Sequence, residues 1–330
     1  MTKIGILVGE DNWTFFREVR DALARDYALD VFTPRHVRTP IAQARVDRWV
    51  NVGRIRRMLQ QNDVCVFEWA SALLDTASHL PKRAPIVTRL HSFELHAWAP
   101  RIEWGAVDRI LFVSDAMRRL FVAAHPAEAA KAVVVWNGVD LDRFTPPATR
   151  PFAFRLGMLC NLIPVKRVYE AILMVHGLRE AGWPARLALG GEPVDEPRYA
   201  VALQQLVHRL GLEDVVSFDG RITDAPAWLA QVDIFLSNSF WEGQQVALIE
   251  AMASGCYCLS HTWLGAEEVV PDDCLFTTEG EAMSKIAAYA SMGDAERRAQ
   301  GDRLRARAVE RFGLARMTAG IRREIESVIR

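Results

Sequence analysis

Long hydrophobic runs are missing from this chain: no stretch of 18 or more apolar residues occurs, which excludes a membrane-spanning helix. The apolar run 4–9 near the start is too short for a signal peptide and lacks a cleavage site. Cysteine is scarce and odd in number, five in 330 residues, so no secreted disulfide framework is expected. Cys256 and Cys258 flank Tyr257 in an apolar run, which predicts two core thiols on one side of a strand rather than metal ligands. Strong charge of either sign is also lacking. A net charge of −1 argues against nucleic acid as the main partner. Residues 1–150 carry 21 Lys and Arg against 17 Asp and Glu, and residues 151–330 carry 19 against 24. The mildly basic first half suits an anionic acceptor or a membrane surface. These features predict a cytoplasmic protein whose only membrane contact, if any, is peripheral at the inner face.

What is present is a regular alternation of short apolar runs with helical patterns. With 50% hydrophobic residues, the chain can bury the cores of about two domains. In the first half the apolar runs fall at 3–8, 27–32, 64–67, 86–89, 109–113 and 133–135, and a helical stretch follows the first of them at 13–25. In the second half strands are expected at 154–160, 186–189, 215–218, 234–237 and 256–260. Helices are expected there at 168–181, 198–210, 226–231 and 246–253, then at 295–311 and 314–329. Strands alternating with helices imply parallel, doubly wound sheets. Thr145-Pro146-Pro147-Ala148-Thr149 is the most linker-like stretch, so the domains are drawn at 1–148 and 149–313.

The second half is organised around residues 232–255. An apolar run ends in Asn238 and Ser239, a polar loop follows, and helix formers from Val246 stop at Ser254-Gly255. A loop between a strand's C-terminal end and a helix N-terminus is where open α/β sheets bind anions. Gly243 would let the backbone approach such a ligand closely. Glu242 and Glu250 are eight residues apart, about 12 Å of helical rise. They can bracket a long ligand only if Glu242 lies in the loop and Glu250 on the second helical turn. The plainer alternative makes Glu242 a helix-dipole partner and Glu250 a solvated residue.

Other candidates gather where strands of the first half end. Glu68, Arg89, His91, Glu94 and His96 follow buried runs and fall on one ligand-binding sheet edge. His96 could equally be a hydrogen-bonded structural residue. Helix 44–60 carries Arg45, Arg48, Arg54, Arg56 and Arg57 with Trp49. It reads as facing a membrane or acceptor, or, as the favoured alternative, as a solvated surface helix. Asp140 and Asp142 form a metal-like pair, but turn formation is the simpler account, and no metal site is expected.

Glu242-Gly243 with Glu250-Ala251-Met252-Ala253 and Gly255 resembles the Glu-x7-Glu motif of the retaining glycosyltransferases of family 4, which have the GT-B fold. Val133-Val134-Val135-Trp136-Asn137-Gly138-Val139-Asp140-Leu141-Asp142-Arg143-Phe144 is similar to that family's interdomain signature. Leu162-Ile163-Pro164-Val165-Lys166 resembles its donor-phosphate segment, and Gly265-Ala266-Glu267-Glu268-Val269-Val270 the element after the glutamate helix. Together these stretches span roughly 85–270. The resemblance implies two Rossmann-like domains facing a central cleft, with the final helix, about 314–330, crossing back to the first domain. It places Lys166 on the donor diphosphate, and Gly243, Gln244, Gln245 and Val246 on sugar and phosphate through their backbone. Glu250 falls on the ribose, and Glu242 and His91 beside the reacting sugar. Asn161 stands where the family usually has an arginine, which leaves Arg167 or Arg221 as replacement cations. Gln244 and Gln245 replace the usual residues after Glu-Gly, and Gly9 alone remains of a glycine-rich first loop.

The resulting expectation is a retaining, metal-independent transferase using a nucleotide-diphosphate sugar, UDP- or GDP-type, as co-substrate and no cofactor. The acceptor would be a glycan, a lipid-linked glycan or a small-molecule hydroxyl, in cell-envelope or exopolysaccharide synthesis. A catalytically silent GT-B protein that binds a glycan or nucleotide sugar is the alternative. A nucleotide-sugar epimerase is the third, resting on Glu68, Glu94 and His91.

Overall fold

The computed structural model describes residues 1–330 except 10–12, 14–15, 37–42, 195–196 and 330. The chain divides into two compact units, Met1–Asn137 with Ala315–Arg330, and Gly138–Leu314.

The first unit is a six-stranded parallel sheet with flanking helices. In chain order its elements are β1 (Lys3–Val8), α1 (Arg17–Leu23), β2 (Ala28–Val31), α2 (Gln43–Gln61), β3 (Val64–Glu68), α3 (Ala72–Ser78), β4 (Ile86–Leu90), α4 (Glu94–Ala97), β5 (Arg109–Phe112), α5 (Asp115–Ala124) and β6 (Ala132–Val134). The strand order is β2-β1-β3-β4-β5-β6. β3 and β4 are buried along their whole length, as continuous apolar runs covered on both faces must be. Ser114 caps α5 by accepting from the Met117 amide, 3.3 Å.

The second unit repeats the architecture with β7 (Arg155–Leu159), α6 (Val168–Glu180), β8 (Arg186–Gly190), α7 (Pro197–Arg209), β9 (Val216–Gly220), α8 (Ala225–Leu229), β10 (Ile234–Ser237), α9 (Val246–Ala253), β11 (Tyr257–His261), α10 (Ala266–Val269), β12 (Leu275–Phe276), α11 (Glu279–Ala290) and α12 (Asp294–Arg311). The order is β12-β11-β10-β7-β8-β9. Cys256 and Cys258 are buried at the start of β11. The Asp233 carboxylate, just before β10, accepts from the amides of Ala153 and Arg155 and fixes the entry into β7. The last helix, α13 (Leu314–Glu326), has all but its first residue in the first unit. Its Met317, Ile321 and Ile325 are buried, and Gly320 lets it approach Val135, whose side chain an added Cβ would meet at 3.1 Å.

Several boundaries differ from expectation. The first helix begins at Arg17 rather than 13, and part of the 13–25 stretch lies outside the described residues. The last helix stops at Glu326. β12 is not among the expected strands: two residues are too few to carry a periodic signal, and it forms because Ser260 and His261 offer a free edge. In α2, Arg45, Arg48, Trp49, Arg56 and Arg57 lie on the solvent side or partly so, while Ile55, Met58 and Leu59 are buried. Arg54 instead lies over the Phe32 ring.

Candidate active site

Strand order locates a crevice in each sheet. From β7 the chain runs outward through β8 and β9, then returns to place β10 on the other side of β7. The loops after β7 and β10 therefore diverge, and such a reversal point is where doubly wound sheets receive ligands. In the first sheet the reversal lies between β1 and β3.

At the second sheet's reversal point the loop after β7 carries Lys166 and the loop after β10 carries Glu242. Their side chains meet, Lys166 Nζ to Glu242 Oε1 at 2.5 Å, both largely shielded from solvent. Ser239 Oγ donates to the same carboxylate oxygen at 2.6 Å, and the Phe240 amide donates to the Val165 carbonyl at 3.1 Å. The two loops are thus tied together by a charge pair and a backbone bond. Gly243, Gln244 and Gln245 are buried and lead directly into α9. The first amides of a helix have no intrahelical acceptor, so Val246 opens an electropositive helix end. Gln245 precedes α9 without capping it, and its buried Oε1 has no hydrogen-bond partner among the described residues. Glu250 lies on the second turn of α9. Burial pushes its carboxyl up to about 7, against a smaller opposing effect of Arg143. It is not the solvated residue of the plainer alternative.

The phosphate-arginine replacements lie differently. Asn161, just after β7, and Arg221, just after β9, are exposed, with β8 between their strands. Arg167 heads α6 in the left-handed region, φ 51°, and its guanidinium pairs with Glu279 and Glu170. Its backbone carbonyl accepts from Asn238 Nδ2 at 2.8 Å. Lys166 is therefore the cation that the structure joins to Glu242, and Arg167 is held by two carboxylates. Cys160, beside the same loop, is a neutral thiol, pushed up to about 12 by burial despite Lys166. Sequence reasoning passes over Ser239 and Asn238 as site residues; their signal is a pair of polar residues at the end of an apolar run. Asp140 Oδ1 accepts from the amides of Asp142 and Arg143, at 3.0 and 3.1 Å, which makes it a turn former.

In the first unit, Glu68, Arg89, His91 and Glu94 come together. Glu68 ends β3 with 0% exposure and Arg89 lies in β4 with 1%. Glu68 Oε1 accepts from Arg89 Nη1 at 3.2 Å and meets His91 Nε2 at 2.9 Å. Arg89 Nη2 also donates to Asn137 Oδ1 and lies 3.2 Å from Met317 Sδ. Burial alone would push the Glu68 carboxyl up; the Arg89 guanidinium and the His91 ring overcome it and hold it below its usual range. Glu94 is spent on backbone, accepting from the His91 amide at 3.2 Å and the Ser92 amide at 2.9 Å. His96 is exposed on α4. Gly9 follows β1, where a Cβ would fall 2.3 Å from Ser71 Oγ, so only glycine lets the loops after β1 and β3 touch.

Two Rossmann-like units, each with polar groups gathered at the C-terminal ends of its central strands, define the GT-B class of fold. A crystal structure of Anabaena Alr3699/HepE in complex with UDP and glucose matches with TM-score 0.81 and 19% identity, over 99% of this chain and 100% of that one, a likeness of fold. A sequence profile described as Glycosyltransferase Family 4 matches residues 8–143, and one described as Glycosyl transferases group 1 matches residues 153–291. The chain belongs to this family, the group 1 glycosyltransferases of family 4 type. Mannosylfructose-phosphate synthase of Agrobacterium fabrum is 40% identical over 203 residues, 57% of this chain and 44% of the relative. Lipopolysaccharide core biosynthesis mannosyltransferase LpsB of Rhizobium meliloti is 26% identical over 212 residues, 59% of this chain and 58% of the relative. The chain spans about half the length of the curated relatives it matches. Among the described residues no helix is long and apolar enough to cross a membrane.

Proposed function

We propose that the chain transfers a sugar from a nucleotide-diphosphate sugar to a hydroxyl acceptor, with retention of anomeric configuration and without a metal. The observation that carries this reading is the Lys166–Glu242 pair beside the open N-terminus of α9, at the strand-reversal point of the second sheet. The unit Gly138–Leu314, rather than the expected 149–313, forms the donor domain, and Met1–Asn137 with Ala315–Arg330 forms the acceptor domain. The donor diphosphate takes Lys166 from Glu242 and docks on the α9 amides, a preorganised electrostatic site for the departing charge. Glu242, released and held by Ser239, orients the sugar ring. Glu250 binds the ribose, and its carboxyl, half protonated near neutral pH, donates or accepts as required. His91 works beside the reacting sugar. The crystal neighbour named for UDP supports a UDP-type donor. Family membership supports a glycan, lipid-linked glycan or small-molecule acceptor in cell-envelope or exopolysaccharide synthesis. The basic face of α2 would allow a peripheral membrane contact of a cytoplasmic enzyme.

Glu242→Ala, assayed for transfer and donor hydrolysis across a nucleotide-sugar panel, is expected to lower kcat by about 10²–10³, the usual cost of losing one group that stabilises the transition state. Unchanged turnover with every usable donor would sink the reading. One observation favours a second: Asn161 is exposed and uncharged, and Arg167 is held by Glu170 and Glu279, so the phosphate grip is thinner than the arginine and lysine that the resemblance implies. A silent GT-B binding protein would show neither transfer nor hydrolysis with any donor.

A further inference from the structure

We propose that Glu68 is a positioning residue that fixes which nitrogen of His91 carries the proton, with Trp69 clamping the ring. The inference rests on the reading of His91 as a group beside the reacting sugar, and it reassigns Glu68 from an acceptor contact to a support. At 0% exposure Glu68 cannot meet an acceptor, but it does meet the imidazole. An ionised carboxylate only accepts hydrogen bonds, so His91 Nε2, 2.9 Å from Glu68 Oε1, must be the N–H nitrogen. In the neutral ring the lone pair then lies on Nδ1. A carboxylate partner on one ring nitrogen is the general means by which proteins set the tautomer and orientation at the other.

Three further contacts hold this arrangement in place. Arg89 donates to the oxygen that His91 uses, which keeps Glu68 in place and ionised. The Glu94 carboxylate takes the His91 and Ser92 amides and so fixes the backbone beneath the ring. Trp69 packs its ring 4.0 Å from that of His91 at an interplanar angle of 25°. Trp69 does so from φ 74°, a region bulky residues rarely occupy, and surrounding structure must hold such a residue there. A strained tryptophan directly after the buried glutamate lets adjacent residues support one imidazole from its edge and its face.

The test is long-range ¹H–¹⁵N correlation on ¹⁵N-histidine-labelled protein, with the His91 signal assigned by its absence in His91→Asn. The whole chain is expected to show His91 protonated at Nε2, with Nδ1 pyridine-like. In Glu68→Gln the amide can donate or accept, so a second tautomer should appear, and kcat should fall about 10- to 100-fold with donor KM within about twofold. An Nδ1–H tautomer in the unmodified protein overturns the proposal, with no variant needed. So does a Glu68→Gln protein with unchanged ring signals or unchanged kcat. If the ring signals behave as expected but no donor supports transfer, the functional reading fails and the tautomer assignment stands.

Discussion

Glu250 illustrates how one residue can cost stability in the service of a site. Burial pushes its carboxyl up from an ordinary 4.5 to about 7. Between those values the folded protein holds a proton that the unfolded chain has released, so stability falls as pH rises from about 4.5 to about 7 and is flat above. A difference of this size is worth up to about 3 kcal/mol. Glu250→Gln removes the ionisation without removing the shape. Urea unfolding of the two proteins at pH 5 and pH 8 should give nearly equal stabilities at pH 5 and a more stable variant at pH 8, by on the order of 1–3 kcal/mol. The same variant should bind nucleotide more weakly if Glu250 holds the ribose. Equal stability differences at both pH values would show that the carboxyl is not shielded as described.

Among elements, the join between β8 and the loop after β7 governs the placement of Lys166. Gly191 has φ 132°, and a Cβ there would lie 1.9 Å from the Cys160 carbonyl oxygen. The same two segments are joined by hydrogen bonds from the Cys160 amide to the Gly190 carbonyl and from the Leu162 amide to the Glu192 carbonyl, both 2.9 Å. Gly191→Ala must therefore push the Lys166 loop away as well as strain the backbone, at a cost of about 1–3 kcal/mol from the dihedral alone. A lowered urea midpoint with weakened nucleotide binding is expected; an unchanged midpoint would contradict the close approach. Most elements are legible in the sequence because buried parallel strands are continuous apolar runs, and α9 runs from Val246 to Ala253 as its composition requires. The fate of side chains is less legible. Arg167 and Lys166 are adjacent cations, yet one pairs with Glu279, 112 residues away, and the other with Glu242. Nothing local distinguishes them; the left-handed backbone at Arg167 does. Likewise their place at strand ends makes Glu68 and Arg89 look like ligand contacts, whereas β3–β4 register sets them side by side and pairs them with each other.

On the scale of the whole molecule, two six-stranded parallel sheets have gathered different chemistry at the C-terminal ends of their central strands. The second has a cation, a carboxylate and an open helix end; the first has a buried carboxylate, guanidinium and imidazole. That difference matches the small charge asymmetry of the halves less than it matches their loops, since most of the 81 charged residues lie elsewhere. The central claim is that a nucleotide's diphosphate is held in the second unit by Lys166. Thermal unfolding of the unmodified chain and of Lys166→Ala, each with UDP, GDP, ADP, CMP and dTDP, tests it most directly. At 100 times its dissociation constant a ligand adds about 2.7 kcal/mol to the folded state. The account predicts a clear rise in Tm for one base in the unmodified chain, and loss of most of that rise in Lys166→Ala at the same concentration. An equal rise in both proteins, or none with any nucleotide, would contradict it.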